Sequence, residues 1–367
     1  MKIRAFITHK LAEKFSDCQD RFGVNYDTKS IAVSDGMGST WQQKIWAQLL
    51  VGTYTNSKDW SPSHDAIKPL CNTWRQKVES FIQHLRDKNA PNNIIYRNER
   101  NLAERKSAGA TIVGVRFNGN DWQGSVLGDS CLIEWDESNA KFHTSQDIEA
   151  FDSFPDYFDS DEFKQGKGTP KDILGVLNKG QYLFLVSDPF SDFLFERDKQ
   201  GVITEYMQQL LKLSSHEDFE TLVDEWRKAG MHNDDTTLII VEPDDSDDFT
   251  IVALDDIDKL IDEEKRELES KEEKSEEKQT EQTEQIVSPD SNESTESETI
   301  FEIIDNKEKK EAEPVEEQVF LVDFLSEYKK ALQKKCSILK NLKFKWTQKA
   351  ISEAVKVMFE KYSINIK

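Results

Sequence analysis

Four short acidic islands stand far apart in the chain, each at the end of a strand-like apolar run. They are Cys18-Gln19-Asp20-Arg21-Phe22, Ser34-Asp35-Gly36-Met37-Gly38, Leu185-Val186-Ser187-Asp188 and Asn233-Asp234-Asp235-Thr236-Thr237. An ionised carboxylate is costly to desolvate, so burial alone accounts poorly for such strand tips. A fold that gathers the tips around divalent cations accounts for them better. Hard ions such as Mg²⁺ or Mn²⁺ take carboxylates, backbone carbonyls and waters as ligands. Asp35 suits this, because Gly36 lets the backbone come close to an ion and Gly38 frees the chain to turn from strand into helix. Asp188 follows the apolar run Tyr182 to Val186, and Asp234 just precedes the run Thr236 to Val241. Three acids so placed can hold two metals with a shared water, the arrangement expected for phosphoester hydrolysis without a covalent nucleophile. The six histidines offer no convincing Ser-His or Cys-His arrangement. A single Asp-Gly pair is usually only a turn, so the argument rests on the islands jointly.

The elements that must position these acids are legible in the apolar spacing. Ile3 to Thr8, Phe22 to Tyr26 and Ile31 to Ser34 are short β-rich runs that begin a sheet. Helical spacing follows between Thr40 and Tyr54 (Trp41, Ile45, Leu49, Leu50) and from His64 to about Lys88 (Ile67, Leu70, Trp74, Val78, Ile82). Ala110 to Phe117, Trp122 to Leu127 and Leu132 to Trp135 read as consecutive antiparallel strands, with Asn118-Gly119-Asn120 as the first tight turn. Asp147 to Lys171 is acidic, aromatic and broken by proline and glycine, as a surface loop or flap would be. Strands at Tyr182 to Val186 and Thr236 to Glu242 flank helices at Val202 to Leu213 and Phe219 to Ala229. A mixed α/β protein with antiparallel sheets fits this order.

Composition divides the 367 residues into three parts. Residues 1–243 hold nearly all the strand signals. Residues 244–317 carry much of the net charge of −22 and almost no aromatics, and read as a solvated, disordered acidic linker. Residues 318–367 turn basic and apolar, with Phe320, Leu321, Phe324, Leu325, Tyr328 and Leu332, then Ile351, Val355 and Phe359, at helical spacing. About fifty residues are marginal for an independent core, so this helical tail is expected to dock on a protein partner, on a second copy of itself or on the first domain. No apolar run approaches the roughly 18 to 20 residues of a membrane helix. The opening Met1 to Ile7 reads as a strand and not as a secretory signal, which points to the cytoplasm. Cys18, Cys71, Cys131 and Cys336 form no metal-binding or disulfide pattern and read as free thiols. The linker's negative charge speaks against direct nucleic-acid binding by that segment, and no direct nucleic-acid contact is expected of the chain, although the basic tail could touch an anionic surface.

The order of the motifs resembles a known family. Gln19-Asp20-Arg21-Phe22, Asp35-Gly36-Met37-Gly38, Gly109-Ala110-Thr111, Gly128-Asp129-Ser130, Ser187-Asp188 with Asp192, and Asp234-Asp235-Thr236-Thr237 are similar to the successive motifs of the metal-dependent type 2C protein phosphatases. The resemblance covers about residues 1–243. It implies a four-layer α-β-β-α sandwich of two antiparallel sheets with the metals at one end. It also implies that Asp35 and the Gly36 carbonyl bind two Mn²⁺ or Mg²⁺ ions, that Asp188 and Asp234 complete one site, and that Asp20 acts through metal-bound water. Asp129 and Asp192, with Asp188, match a third, weaker site. Read from residue chemistry alone, Asp129 is equally a turn acid and Asp192 equally a helix cap.

Departures from the family pattern stand beside the matches. Asp188 is followed by Pro189 where the family has glycine, and proline fixes φ and removes an N–H. Phe15 occupies the position of a phosphate-binding arginine, leaving Lys14 beside it as a weak candidate for that role. Gln19 replaces an acid, and Cys131 an arginine. The expectation is a signalling phosphatase acting on phosphoserine or phosphothreonine in proteins by a metal-bridging hydroxide, opposing a kinase. The alternative is a non-catalytic phosphatase-like regulator that binds a phosphoprotein or a partner kinase.

Overall fold

The apolar runs become strands buried on both faces, which is why they read as nearly continuous hydrophobic segments instead of clean alternations. The computed structural model describes residues 1–146, 155–164, 166–244 and 248–284. In chain order the elements are β1 (Lys2–Thr8), β2 (Arg21–Asn25), β3 (Ser30–Ser34), α1 (Gln43–Asn56), α2 (Lys68–Asp87) and α3 (Asn92–Ala103). There follow β4 (Gly109–Ala110), β5 (Ile112–Asn118), β6 (Asp121–Leu127), β7 (Cys131–Trp135), β8 (Ala140–His143), β9 (Phe158–Asp159), β10 (Lys171–Val176) and β11 (Tyr182–Val186). The last are α4 (Asp188–Lys199), α5 (Ile203–Lys212), α6 (His216–Lys228), β12 (Thr236–Glu242), β13 (Thr250–Leu254) and α7 (Ile257–Glu284).

Two sheets carry the fold, a six-stranded one ordered β13-β1-β12-β11-β7-β8 and a five-stranded one ordered β10-β6-β5-β3-β2. Period-two alternation splits each strand between two cores. On β1 and β12, Ile3, Ala5, Ile7, Ile239 and Val241 face the other sheet and meet Ile31, Val33, Val113 and Val115. The alternate residues Phe6, Leu238 and Ile240 face α4, α5 and α6, where Phe190, Phe193, Met207, Phe219 and Trp226 complete a second core. Behind the five-stranded sheet, Trp46, Leu50 and Tyr54 of α1 and Trp74 and Val78 of α2 pack on Ala32 and Ile112. The expected α-β-β-α sandwich is therefore the observed architecture.

Three elements differ from the sequence reading. The structured chain does not end at residue 243. Phe249 is buried against Tyr26 and Phe117, and β13 joins the six-stranded sheet beside β1. That pair is parallel, so this sheet is mixed and not wholly antiparallel. The run Phe249 to Leu254 is apolar and β-branched, but it is swamped when composition is averaged over the acidic segment. Beyond it, Ile257 and Leu260 of α7 pack on the inter-sheet core, so the start of the expected disordered linker is ordered. The helix α3 has no counterpart in the sequence reading, because its buried residues are Asn98 and Asn101, an amide face that no apolar periodicity reveals. Asn98 accepts from Trp41 Nε1 and Gln42 Nε2, both at 3.2 Å. Of the expected flap, residues 147–154 and 165 lie outside the described residues, as do the rest of the linker from 285 and the whole tail. Cys18, Cys71 and Cys131 are free thiols, as expected, and all three are buried.

A partly buried ion pair anchors the added segment. His216, the first residue of α6, sets Nδ1 2.6 Å from Asp255 Oδ2 and Nε2 3.3 Å from Glu220 Oε1, and Asp255 also accepts from Ile7 N at 3.1 Å. Burial lowers the imidazole pKa, but the bonds to Asp255 and Glu220 outweigh it and raise the group from 6.5 to about 9. A raised folded-state pKa stabilises fully below about 6.5, and the contribution is lost as pH rises through about 9. Thermal unfolding of His216→Gln should therefore show a deficit on the order of 1–2 kcal/mol at pH 6, allowing for solvent screening, that fades by about pH 10. An equal deficit at both pH values would contradict the ion pair.

Candidate metal centre

Strand register brings the islands to one end of the sandwich. Arg21 pairs with Ser34, so Asp20 entering β2 and Asp35 leaving β3 lie side by side. Val186 pairs with Leu238 on one side and Cys131 on the other, which sets Ser187-Asp188 between the Asn233-Asp235 turn and Gly128-Asp129. Thr8 pairs with Thr236, laying the loop after β1 across the same turn. Carboxylates that face each other at this end must repel, and their pKa values record it. Burial, then the charges of Asp129 and Asp234, pushes Asp35 up to about 7. Burial pushes Asp129 up to about 7 as well, with Asp192 and Asp20 adding to it. Asp20 and Asp188 rise well above the usual carboxylate range, by burial first and then by Asp35, with Asp129, Asp234 and Asp20 acting further on Asp188.

Neutral groups hold the acids in place. Asp20 is 1% exposed, and its Oδ2 accepts from Thr237 Oγ1 at 2.7 Å. Asp35 N donates to Thr111 Oγ1 at 3.1 Å, and the Thr111 hydroxyl meets Ser130 Oγ at 2.7 Å, linking the Asp35 and Asp129 loops. Ser187 Oγ accepts from Thr237 N at 2.9 Å. Asp188 opens α4, where the helix dipole favours a carboxylate. Pro189 sits in the same first turn, where no intrahelical N–H bond is lost, so the departure from Asp-Gly is locally harmless. Gly36 is needed for a reason other than ion approach alone, since a Cβ there would lie 2.9 Å from the Gln19 carbonyl and 3.0 Å from Gln43 Cγ. Gly128, at φ 107°, would drive a Cβ to 2.5 Å from Thr111 Cγ2.

The residue chemistry fits hard divalent ions. Asp20 Oδ1 and Asp129 Oδ1 are buried with no hydrogen-bond partner, and the acids around them carry like charge. Asp20, Asp35, Asp188, Asp234 and the Gly36 carbonyl are the groups that would hold two ions. Among the described residues, however, no three His, Cys, Asp or Glu side chains are arranged to hold one ion as they stand. Asp234 is engaged elsewhere, its Oδ1 meeting Lys10 Nζ at 2.9 Å and Asp235 N at 2.7 Å.

Asp192 lies inside α4, one turn after Asp188, so it does not cap that helix. Its pKa is raised by burial, and its charge reaches Asp129. Lys14 is exposed on the loop after β1. Phe15 is buried edge-on to His9 at 4.6 Å and packs 5.7 Å from His216. Two further residues belong to the site, and the sequence reading does not single them out. Asp235 is 2% exposed and accepts from Gln19 N at 2.7 Å and Lys10 N at 3.0 Å, so it clamps the loop carrying Asp20. Lys10 is a lysine that touches the acids, its Nζ 2.9 Å from Asp234 Oδ1. Its only sequence signal is its place two residues beyond a strand whose partner begins beside Asp234.

A sequence model described as protein phosphatase 2C matches residues 12–226, more than half of the chain. The chain belongs to the protein phosphatase 2C family. Its fold is similar to a bacterial serine phosphatase (16% identity, 66% of this chain and 99% of that one, TM-score 0.43). It is also similar to the serine/threonine phosphatase Stp1 from Staphylococcus aureus (14% identity, 66% and 94%, TM-score 0.43). A third is the catalytic domain of the serine/threonine phosphatase PstP, solved with two manganese ions (17% identity, 65% and 96%, TM-score 0.40). Comparison with curated protein sequences finds no match. Among the described residues no helix is long and apolar enough to cross a membrane.

Raised carboxylate pKa values mean that the folded chain binds more protons than the unfolded one between about pH 4 and 7, so stability falls as pH rises through that window. In the presence of a chelator the protein should melt higher at pH 5.5 than at pH 8. Asp35→Asn should raise the pH 8 melting temperature by about 2–6 °C and flatten the pH dependence. A lower melting temperature for Asp35→Asn at pH 8 would contradict the repulsion.

Proposed function

We propose that this protein is a metal-dependent phosphatase acting on phosphoserine or phosphothreonine in proteins, in the cytoplasm and in opposition to a kinase. The observation that carries this reading is the convergence of Asp20, Asp35, Asp129, Asp188 and Asp234 at one end of a type 2C sandwich. Asp35, Asp188 and Asp234 are assigned as direct ligands of two Mn²⁺ or Mg²⁺ ions, with the Gly36 carbonyl beside them and Asp20 acting through water. Asp129 and Asp192 with Asp188 are assigned to a third, weaker site. When bound, such ions supply an activated water and offset the charge of the phosphoryl oxygens. Thr237 fixes the Asp20 carboxylate, Asp235 holds the Gln19 and Lys10 backbone, and the first turn of α4 orients Asp188.

A second reading, a non-catalytic regulator that binds a phosphoprotein or kinase, draws on Phe15. Its ring is buried against His9 and His216, where a phosphate-binding cation is expected. The retained acids speak against it, because a scaffold has no need to bury Asp20, Asp35, Asp129 and Asp188 together at a cost in stability. Hydrolysis of a phosphothreonine peptide with added Mn²⁺ or Mg²⁺ separates the two. The intact chain should turn over, and Asp35→Asn and Asp188→Asn should each lower kcat by about two orders of magnitude or more. A folded chain with no turnover under either metal would favour the regulator.

A further inference from the structure

The contact between Lys10 and Asp234 is built by the backbone around it. Arg227 Nη2 donates to the carbonyls of His9 at 3.0 Å and Asp234 at 2.9 Å, tying the loop after β1 to the turn before β12. Lys10 N donates to Asp235 Oδ1 at 3.0 Å, and Leu11 N donates to Asn233 Oδ1 at 2.8 Å. Lys10 is thus stapled through its own amide and both neighbours to the three residues Asn233 to Asp235. Its ammonium reaches Asp234 Oδ1 at 2.9 Å from a side chain only 20% exposed. A freely solvated lysine would have no such backbone register, and Lys14, four residues on, is exposed.

The carboxylate that Lys10 holds is one that the proposed function assigns to a metal ion, and this inference rests on that assignment. An ammonium and a divalent cation that share one carboxylate repel each other and compete for the same oxygen lone pairs. We propose that Lys10 is an internal competitor for Asp234 that weakens divalent-ion binding at the site. The ammonium neutralises Asp234 within a group that also includes Asp235, and it must yield Asp234 oxygen to an arriving ion. The chain's own cation therefore tunes how much free Mn²⁺ or Mg²⁺ is needed to fill the site.

Calorimetric titration of the full chain with Mn²⁺ alone reads this without reference to turnover. Lys10→Met, which keeps the stem and removes the charge, should bind Mn²⁺ about two- to fivefold more tightly than the wild type, the range expected for a partly exposed ion pair. Lys10→Arg should stay within about twofold of the wild type, because it keeps the charge. A melting curve for Lys10→Met in chelator confirms that the variant is folded. Unchanged or weaker Mn²⁺ binding by folded Lys10→Met, or equal tightening by Lys10→Arg, overturns the proposal while leaving the metal site standing. Absence of Mn²⁺ binding by the wild type overturns the assignment of the site, and the competition with it.

Discussion

Mutual repulsion among carboxylates at one end of the sandwich is the constraint to which the rest of the structure answers. Asp20, Asp35, Asp129 and Asp188 are raised in pKa by burial and by one another, so bringing them together costs folding free energy. The compensation is spread through the fold. Two sheets pack through an inter-sheet core of Ile, Val and Leu, and each is backed by helices rich in Trp and Phe. Such a frame sets strand ends by register, which leaves the acids little freedom to move apart.

Close to the site the work is done by hydroxyls and backbone amides. Thr237, Ser187, Thr111 and Ser130 bridge neighbouring strand ends without adding charge. Asp235 is the acid whose two oxygens are both spent on backbone N–H groups, so it serves the loop geometry while its neighbour Asp234 faces Lys10.

Much of this was legible in the sequence, and the exceptions have physical causes. Strands and helices that bury apolar side chains show themselves by spacing, as in Tyr182 to Val186 and in Ile67 to Ile82. The acids were legible because a carboxylate that follows a buried strand bears a desolvation cost that a bound cation can offset. The helix α3 was not legible, because it buries amides. The strand β13 was hidden by its acidic surroundings, although its own residues are β formers. Lys10 could not have been found from type or spacing, since its contact depends on β1 and β12 pairing from Lys2 with Glu242 to Thr8 with Thr236.

The central claim is that these acids are gathered to hold a pair of divalent ions. The most direct test is anomalous diffraction from crystals of the chain soaked in Mn²⁺. Two peaks about 3.5–4 Å apart, bounded by Asp35, Asp188 and Asp234, are the predicted result. A data set with no anomalous peak at that end of the sandwich, in crystals where Mn²⁺ has access to it, would contradict the account.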